Sequence, residues 1–391
     1  MSGSESADVV VVGAGIVGAA CAEALSAAGL RVLVLDRDAP AGAATAAGGG
    51  GVLVSDKDPG PELELARASR RRWPELLDEV RELIGTLPAE VGWEAEGGLA
   101  VAVSAGAIGP LAALTAAQRA AGVEVEDLDS ASARDFEPRL TEATTAVAYF
   151  PEDAALRPVA VTAALLAALR ARGGEVRGGV AVTGTAVDRS GAVVGVRTGA
   201  EAIPCRAVVN ACGPWAGHFS ETIGAAVDVV PRRGVSLVTA PLPRFVGRGV
   251  RDAEYLDASG ARASAAVGPT ASGAVLIGSH GGPGAVDDDR GVAVLRRLAR
   301  GAVRLFPDLA EAPVRRAYGG CRPSTPDRLP VIGEDPRVPG LWHAAGHGGS
   351  GVGLAAGTGR LLADLFTGRV PVVDPEPFRV DRPELALEAG A

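Results

Sequence analysis

The sequence contains few of the residues that build metal centres or disulfide frameworks. Among its 391 residues are four histidines and four cysteines, namely Cys21, Cys205, Cys212 and Cys321. No two of these cysteines have C-x-x-C or zinc-finger spacing, which argues against both zinc and a disulfide framework. We therefore predict no metal site.

Lysine is also scarce, and acidic residues outnumber basic ones. The formal net charge is −9, and Lys57 is the only lysine. This balance argues against a nucleic-acid partner and against binding to anionic membranes, and no apolar run is long enough to span a membrane. Val9 to Ala22 is as apolar as a signal-peptide core, but residues 2–8 before it lack the basic residue that a signal peptide requires. The sequence therefore predicts a cytoplasmic protein.

Glycine, by contrast, is abundant, with 54 residues beside 27 prolines. Together these residues stay below the fraction that marks low-complexity chains. Hydrophobic residues make up 47% of the chain, which is enough for a large core. Length and composition thus predict a globular protein, organised in two domains.

A glycine fingerprint stands near the beginning of the chain. Four valines, Val9 to Val12, are typical of a strand buried on both faces of a parallel sheet. Gly13, Gly15 and Gly18 follow in the pattern G-x-G-x-x-G, which permits a tight turn, a close approach of pyrophosphate and close packing of helix on strand. The second strand ends at Asp36, whose carboxylate can accept hydrogen bonds from ribose hydroxyls. A glycine-rich turn in an ordinary α/β unit is the alternative.

A loop of glycine and alanine follows, over residues 37–51. Its four consecutive glycines let the main chain approach a flat ligand, and Thr45 can bond a phosphate; an exposed linker is the alternative. Glu62 to Ile84 has helical periodicity, and we expect Pro74 to kink or divide that helix. Further on, Val176 to Val196 alternates in a way that predicts a three-strand meander.

Two motifs near the end of the chain can bind anions. The loop Gly346 to Gly351 precedes a predicted helix, Val352 to Phe366, so its N–H groups and the helix dipole favour negative charge. A glycine-rich turn without a ligand is the alternative. Arg322 follows two glycines, and a guanidinium matches both oxygens of a carboxylate, although most arginines are surface residues.

Together these motifs resemble the D-amino-acid oxidase, glycine oxidase and sarcosine oxidase family of FAD-dependent oxidoreductases. The resemblance covers nearly the whole chain. Besides the opening fingerprint, it rests on four blocks in a fixed order: Asp153–Pro158, Val209–Trp215, Gly319–Asp327 and Ala345–Gly351.

The resemblance implies an α/β fold with a Rossmann-like FAD-binding domain assembled from discontinuous segments, 1–85, 151–220 and 321–391. It also implies an α+β substrate-binding domain with a mixed or antiparallel sheet, formed by residues 86–150 and 221–320.

The resemblance also implies the residues of the site. Arg322 is expected to bind the substrate carboxylate and His347 to line the active site beside the flavin. Family members that oxidise glycine-like substrates have a tyrosine where this chain has alanine; Tyr255 is its candidate replacement, and a packed core tyrosine is the alternative. The expected cofactor-binding residues are Gly13, Ala14, Gly15, Ile16, Val17, Gly18, Asp36, Arg37, Ala44, Thr45, Gly48, Gly50, Gly51, Val182, Ala211, Gly213, Trp215, Arg322, Gly346, His347, Gly348, Gly349, Ser350, Gly351 and Val352.

The implied activity is oxidation of a small amino acid, either a D-amino acid, glycine or an N-substituted amino acid. Hydride transfer to flavin N5 would give an imine that hydrolyses. FAD is expected to be noncovalent because Cys321 is one position out of register with the cysteine of the family's covalent members. An NAD-dependent dehydrogenase and a non-catalytic flavoprotein subunit of an electron-transfer complex are the alternatives.

The electron acceptor is a separate question. The lysine that sarcosine-oxidase-like relatives use for oxygen activation is missing, and Lys57 stands between Asp56 and Asp58, which would offset its charge. His347, if protonated, or an arginine is the remaining source of positive charge. We therefore expect slow oxidation by oxygen; besides a small amino-acid substrate, an electron-acceptor protein or a second copy of the chain is a candidate partner.

Overall fold

In a computed structural model of the chain, residues 7–242, 245–256, 264–280 and 291–385 are described. The α-helices in these ranges are α1 (Ile16–Ala27), α2 (Pro61–Ile84), α3 (Ile108–Ala120), α4 (Ser130–Phe136), α5 (Pro158–Ala171), α6 (Ala216–Glu221), α7 (Gly291–Leu305) and α8 (Gly351–Phe366). The strands are β1 (Ala7–Val12), β2 (Val32–Leu35), β3 (Gly51–Val52), β4 (Gly98–Ala102), β5 (Glu126–Leu128), β6 (Ala146–Phe150), β7 (Ala154–Ala155), β8 (Glu175–Arg177), β9 (Val182–Val187), β10 (Val193–Thr198), β11 (Ala202–Asn210), β12 (Val230–Pro241), β13 (Gly249–Asp252), β14 (Ser264–Pro269), β15 (Ala274–His280), β16 (Val314–Ser324), β17 (Val331–Glu334) and β18 (Leu341–Ala345).

The first sheet is built around β1. Its strand order is β17-β18-β11-β1-β2-β8. β9 and β10 form a hairpin, which joins this sheet because β10 also pairs with β11. β1 runs parallel to both β2 and β11. Val9 and Val11 pack into the core that includes α1, α5 and α8, whereas Val10 and Val12 pack into a second core. The predicted strand with two buried faces is therefore confirmed.

The predicted meander at residues 176–196 is wrong. β8 pairs in parallel with β2, so of the three strands in this stretch only β9 and β10 pair with each other, as an antiparallel hairpin. The helix α5 immediately precedes β8 and packs against α1, so the chain returns to the sheet by a crossover that makes β8 parallel to its neighbour. An alternating pattern predicts a strand but does not choose its partner.

Pro74 does not divide the predicted helix, because α2 is continuous from Pro61 to Ile84. Its apolar face packs against α8, where Trp73 is fully buried and its Nε1–H donates to the Gly353 carbonyl over 3.2 Å. This tertiary packing offsets the hydrogen bond that a proline removes. In the part of the chain described by the structure, no helix is long and apolar enough to cross a membrane.

The second sheet has the order β16-β12-β15-β14-β13-β4-β6-β5 and is mixed, since only β13 and β4 pair in parallel. On one face, Leu298 and Leu305 of α7 pack with Leu237 and Ile277 of the sheet. Its strands lie between residues 98 and 324, whereas those of the first sheet lie in 7–35, 175–210 and 331–345. The fold class, with an α/β sheet and a mixed second sheet, is confirmed. The domain boundaries remain a prediction, and β16 itself continues past the boundary predicted at residue 321.

The glycine-rich loop after β2 brings the two sheets together. A Cβ at Gly320 of β16 would collide with Ala47, and a Cβ at Gly49 would lie 3.3 Å from Leu276 of β15. The loop therefore lies directly on the second sheet while remaining attached to the first. A large cavity lies between the two sheets.

Candidate active site

The cavity has a volume of about 1220 Å³, larger than the roughly 300–1,000 Å³ of common small-molecule sites. Every residue predicted to bind the cofactor lines it except Ala14. Ala14 is fully buried, and its N–H donates to Asp36 Oδ2 over 2.7 Å. Arg322 and His347 also line the cavity, whereas the side chain of Tyr255 lies outside the described residues. The fold thus gathers segments from the beginning, middle and end of the chain around one space.

The glycines of the opening fingerprint are needed for two reasons: a side chain would overlap neighbouring main-chain atoms, and Gly13 has a backbone conformation that favours glycine. Gly13 has φ +109°, and a Cβ there would overlap the Ala211 carbonyl at the end of β11. A Cβ at Gly18 would overlap the carbonyl oxygen of Gly13. Gly15 is less crowded, because its Cβ would lie 3.2 Å from Thr45 Oγ1. The turn between β1 and α1 therefore presents bare main chain to the cavity.

Asp36 and Thr45 both accept hydrogen bonds from main-chain N–H groups. The Asp36 carboxylate accepts from Ala14 and, at its other oxygen, from Asp38 over 2.9 Å. Thr45 Oγ1 accepts from Ile16 N–H over 3.0 Å at the start of α1. A hydroxyl that accepts one bond still has its own proton to donate, so Thr45 retains the capacity to bond a phosphate there.

Two large side chains stack at the edge of this end of the cavity. The guanidinium carbon of Arg37 lies 3.8 Å from the centre of the Trp215 ring, within the range of a cation–π contact. Trp215 follows β11 and is 38% exposed. Both residues, together with Val182 of β9, line the cavity.

The second glycine loop lies at the start of α8. Gly346 and Gly348 have φ values of +76° and +54°, a conformation that side chains rarely adopt. Gly348 N–H donates to the Pro323 carbonyl over 2.6 Å, which joins the loop to the end of β16. Because the first N–H groups of a helix have no partner within it, this end of α8 favours negative charge in the cavity.

His347 is buried within this loop, and its Nε2 lies 2.9 Å from Thr358 Oγ1 in α8. Burial lowers the pKa of His347 to about 3. The imidazole is therefore neutral at physiological pH, and the suggestion that it supplies positive charge is wrong. The sequence could not show this, because the cause is burial against a helix of the completed fold.

Arg322 lies near the end of β16, and its guanidinium spans two glycines. A Cβ at Gly234 of β12 would be 3.0 Å from Arg322 Nε, and one at Gly349 would be 3.9 Å from the same atom. The absence of a side chain at Gly234 therefore makes room for the guanidinium, and Gly349 lies in van der Waals range of it. Burial lowers the pKa of Arg322, but an arginine remains charged at any physiological pH.

Lys57 lies in the cavity wall, although the sequence places it in a polar turn. It is 3% exposed, and its Nζ lies 2.5 Å from Asp56 Oδ1 and 3.6 Å from Glu62 Oε1. Burial opposes its charge, but these carboxylates outweigh that effect and raise the pKa of Lys57. Glu62 also accepts a hydrogen bond from Ser350 Oγ over 2.9 Å, which connects the lysine to the second glycine loop.

Some cavity residues were not predicted. Tyr318 lies four residues before Arg322 on β16, so both side chains share a face of the sheet; strand periodicity could have identified it. Arg232 and Arg251 also line the cavity, from β12 and β13. No motif marks these two arginines, since only the pairing of distant strands places them there.

These features fit a dinucleotide. Main-chain N–H groups and two helix N-termini face the cavity where a pyrophosphate requires positive potential, and Asp36 stands at the end of β2 for a ribose. No group of three or more histidine, cysteine, aspartate or glutamate residues that could hold a metal occurs in the described ranges.

Comparison with known proteins identifies the dinucleotide that the chain binds. The family described as FAD dependent oxidoreductase matches residues 8–365. The chain belongs to this family. FAD is therefore its cofactor, and the nicotinamide alternative is wrong.

Individual relatives agree with the family. The chain is 30% identical over 379 residues to a glycine oxidase of Geobacillus kaustophilus, an alignment that covers 96% of this chain and 97% of that protein. A crystal structure of glycine oxidase from Geobacillus kaustophilus superimposes with a TM-score of 0.85 at 28% identity, covering 96% of this chain and 98% of that one. Hydrogen cyanide synthase subunit HcnC of Pseudomonas aeruginosa is 32% identical over 273 residues, or 68% of this chain and 63% of that protein.

Proposed function

We propose that this flavoenzyme oxidises the amine of a small amino acid, namely glycine, a D-amino acid or an N-substituted amino acid. The single observation that carries the proposal is the position of Arg322. Its guanidinium lies beside Gly349 of the second glycine loop, in the cavity that the dinucleotide fingerprint also lines. A permanently charged fork next to the cofactor loop suits a substrate carboxylate.

Bound FAD would supply the hydride acceptor, flavin N5, for the hydrogen on the substrate Cα. The chain's own task is to hold the substrate, and Arg322 fixes its carboxylate so that the Cα–H has one orientation. The nitrogen lone pair of the neutral amine forms the C=N bond as the hydride leaves, and water then hydrolyses the imine. The N–H groups at the start of α8 stabilise negative charge that develops in the cavity.

The protein's residues provide orientation and charge rather than a strong base. His347 is neutral, and its Nε2 is engaged with Thr358. Lys57 is held between two carboxylates. Neither group is poised to remove a carbon-bound proton, which supports hydride transfer from the neutral amine.

The position of Cys321 supports noncovalent FAD. Cys321 and Arg322 are consecutive residues of β16, so their side chains point to opposite faces of the sheet. Arg322 lies on the face toward the glycine loop, so the Cys321 thiol lies on the opposite face of β16, although Cys321 is also among the residues that line the cavity.

Anaerobic reduction tests the proposed activity. The purified yellow protein is mixed without oxygen with glycine, sarcosine, D-alanine, D-proline and, for comparison, L-alanine, and the visible flavin band is followed. We expect at least one of the first four compounds to bleach the flavin at a rate that saturates with concentration. If dithionite reduces the flavin but no amino acid does, the proposal is overturned in favour of a non-catalytic flavoprotein subunit.

We further propose that oxygen is a poor electron acceptor for this enzyme. Positive charge beside the reduced flavin speeds its reaction with oxygen. However, His347 is neutral, the charge of Lys57 is matched by Asp56 and Glu62, and the charge of Arg322 would be matched by the carboxylate that it binds. In stopped-flow experiments, the substrate-reduced enzyme should reoxidise more slowly in air-saturated buffer than with a quinone analogue. Reoxidation by air that is faster than turnover with the quinone would make the enzyme an oxidase.

A further inference from the structure

Arg232 of β12 is a second arginine on the face of the sheet that carries Arg322. It pairs across the strands directly with Arg322 of β16, and directly paired residues of an antiparallel ladder have their side chains on one face. Both residues line the cavity. On the opposite face of β12, Leu237 packs into the core of the second sheet. The fold therefore sets two guanidinium groups side by side in the cavity wall.

Arg232 stands beside this like charge without a counter-charge among the described residues. It is partly buried, yet within the described ranges its side chain makes no hydrogen bond, ion pair or aromatic contact. Like charges directly opposite each other on neighbouring strands are destabilising, and partial burial of an unpaired charge adds to that cost. The arrangement is therefore unfavourable in the protein alone, and an anionic ligand would relieve it.

The guanidinium of Arg232 is accessible to such a ligand. Nε of Arg248 and both Nε and Nη2 of Arg251 are enclosed without a partner, whereas none of the unpartnered nitrogens of Arg232 is enclosed. Arg232 also belongs to the cavity wall. A molecule in the cavity can therefore reach its donors without any rearrangement of the sheet.

The direction of the Arg322 side chain shows how far apart the two charges are. Arg322 Nε lies 3.0 Å from the Cβ position of Gly234, and Gly234 is two residues along β12 from Arg232, or about 7 Å. The fork of Arg322 engages both oxygens of one carboxylate. The neighbouring guanidinium therefore meets a different group of the same ligand, and that group lies only a few bonds from the first carboxylate.

We propose that Arg232 binds the second carboxylate of a short amino dicarboxylic acid whose α-carboxylate is held by Arg322. The second carboxylate stands on a short side chain or on a short substituent of the amine nitrogen. It matches the charge of Arg232, as the α-carboxylate matches that of Arg322. This inference rests on the proposed function for the role of Arg322, and it adds the charge of the substrate as a determinant of specificity.

Binding of unreactive acids tests the subsite without turnover. The FAD-loaded protein is titrated calorimetrically, at constant ionic strength, with malonate, succinate and glutarate and with the monocarboxylic acids of equal carbon number, propionate, butyrate and pentanoate. We expect at least one diacid to bind about tenfold more tightly than its monocarboxylic partner, because charge-assisted hydrogen bonds contribute roughly that factor. If no diacid binds better than its partner, the proposal is overturned.

Variants of Arg232 assign the effect to this residue. Arg232→Gln should abolish the diacid advantage and leave the Kd of the monocarboxylic acids unchanged, since Arg322 is intact. Arg232→Lys should retain part of the advantage, because it keeps the charge and lacks the fork. A diacid advantage that survives Arg232→Gln contradicts the assignment, and so does an equal loss of affinity for both kinds of acid.

Arg328→Gln is the matched control for charge. Arg328 also lines the cavity, and its side chain too has no partner in the described ranges, but it lies four residues beyond the end of β16 at Ser324. This control should retain the diacid advantage. If Arg328→Gln removes the advantage as fully as Arg232→Gln, general attraction by positive charge explains the binding and the subsite is refuted.

The outcomes separate the subsite from the reaction. If Arg232→Gln does not load FAD, Arg232→Met is titrated instead, and the wild-type series remains decisive by itself. A diacid advantage without flavin reduction by any amino acid would support the subsite and refute the proposed function. Flavin reduction by glycine or a D-amino acid without a diacid advantage would do the reverse.

Discussion

The two ends of the cavity recognise ligands by different means. At the dinucleotide end, two glycine loops present main-chain N–H groups, and the essential contacts are those that a Cβ would block. At the other end, the second sheet contributes Arg322 and Arg251 to the cavity wall. Each loop of the first end is a run of sequence neighbours, whereas the second end is composed of single residues from strands far apart in the chain.

This difference predicts different responses to mutation. A main-chain site depends on shape, so adding one carbon should remove the ligand entirely. A side-chain site depends on charge and hydrogen bonds, so removing one group should weaken binding by a limited factor and leave the fold intact. The following variants test this contrast.

The largest effect is expected from Gly13→Ala. The added carbon would overlap the Ala211 carbonyl, and moving that carbonyl would displace the end of β11 from the cofactor site. We expect the purified variant to contain almost no FAD, measured as the ratio of flavin to protein absorbance. Gly29→Ala is the control, because Gly29 has a similar φ of +91° but nothing within 4 Å of its Cβ. Equal loss of FAD in both would show that backbone strain alone is responsible.

Arg322→Ala should raise the amino-acid concentration needed for flavin reduction while retaining bound FAD. The loss of charge-assisted hydrogen bonds is worth about 1.5–3 kcal/mol, or roughly 10- to 150-fold. Arg322→Lys should recover part of the loss, since an ammonium lacks the fork. Arg315→Ala serves as the control on the opposite face of the same strand, where it is exposed. Unchanged kcat/KM in Arg322→Ala would remove this arginine from the substrate site.

Asp36→Ala should weaken FAD binding by a factor on the order of ten, because it removes an acceptor for the ribose. It also removes the acceptor for Ala14 N–H, so part of the effect comes from the turn itself. The fold should survive, since the carboxylate stands at a strand end. FAD occupancy after extended dialysis is the measurement, and full occupancy would refute the assignment.

The smallest effect concerns pH and His347. In the unfolded chain its pKa is about 6.5, whereas in the fold it is about 3, so only the unfolded chain takes up this proton between those values. The free energy of unfolding of the wild type should therefore decrease, relative to that of His347→Gln, as the pH is lowered through that window. Between pH 7.5 and 5.5 the difference in unfolding free energy should change by about 1.4 kcal/mol. Parallel pH profiles for the two proteins would show that the imidazole is accessible to protons in the fold.

The dinucleotide end could be predicted because its signals are local. Four valines, three glycines and an acidic residue at fixed spacing define a strand, a turn and a strand end, and Gly13 and Gly18 lie against the main chain as that motif requires. The helix after the second glycine loop was predicted from residue 352 and begins at Gly351.

Other predictions failed because they treated a local pattern as sufficient. Pro74 is tolerated within α2 because Trp73 is buried against α8. β8 alternates like a meander strand, yet it pairs in parallel with β2 because α5 leads the chain across the sheet.

The sequence by itself therefore predicted the fold class and the cofactor motif, and its resemblance to a family marked Arg322 as the candidate carboxylate ligand, since each motif is a short run of neighbouring residues. Only the tertiary structure decided that His347 is neutral, that Lys57 is buried between carboxylates and that Arg251 lies in the cavity wall. Burial, ion pairing and strand order produce these properties, and they arise from residues that the fold brings together across long separations in sequence.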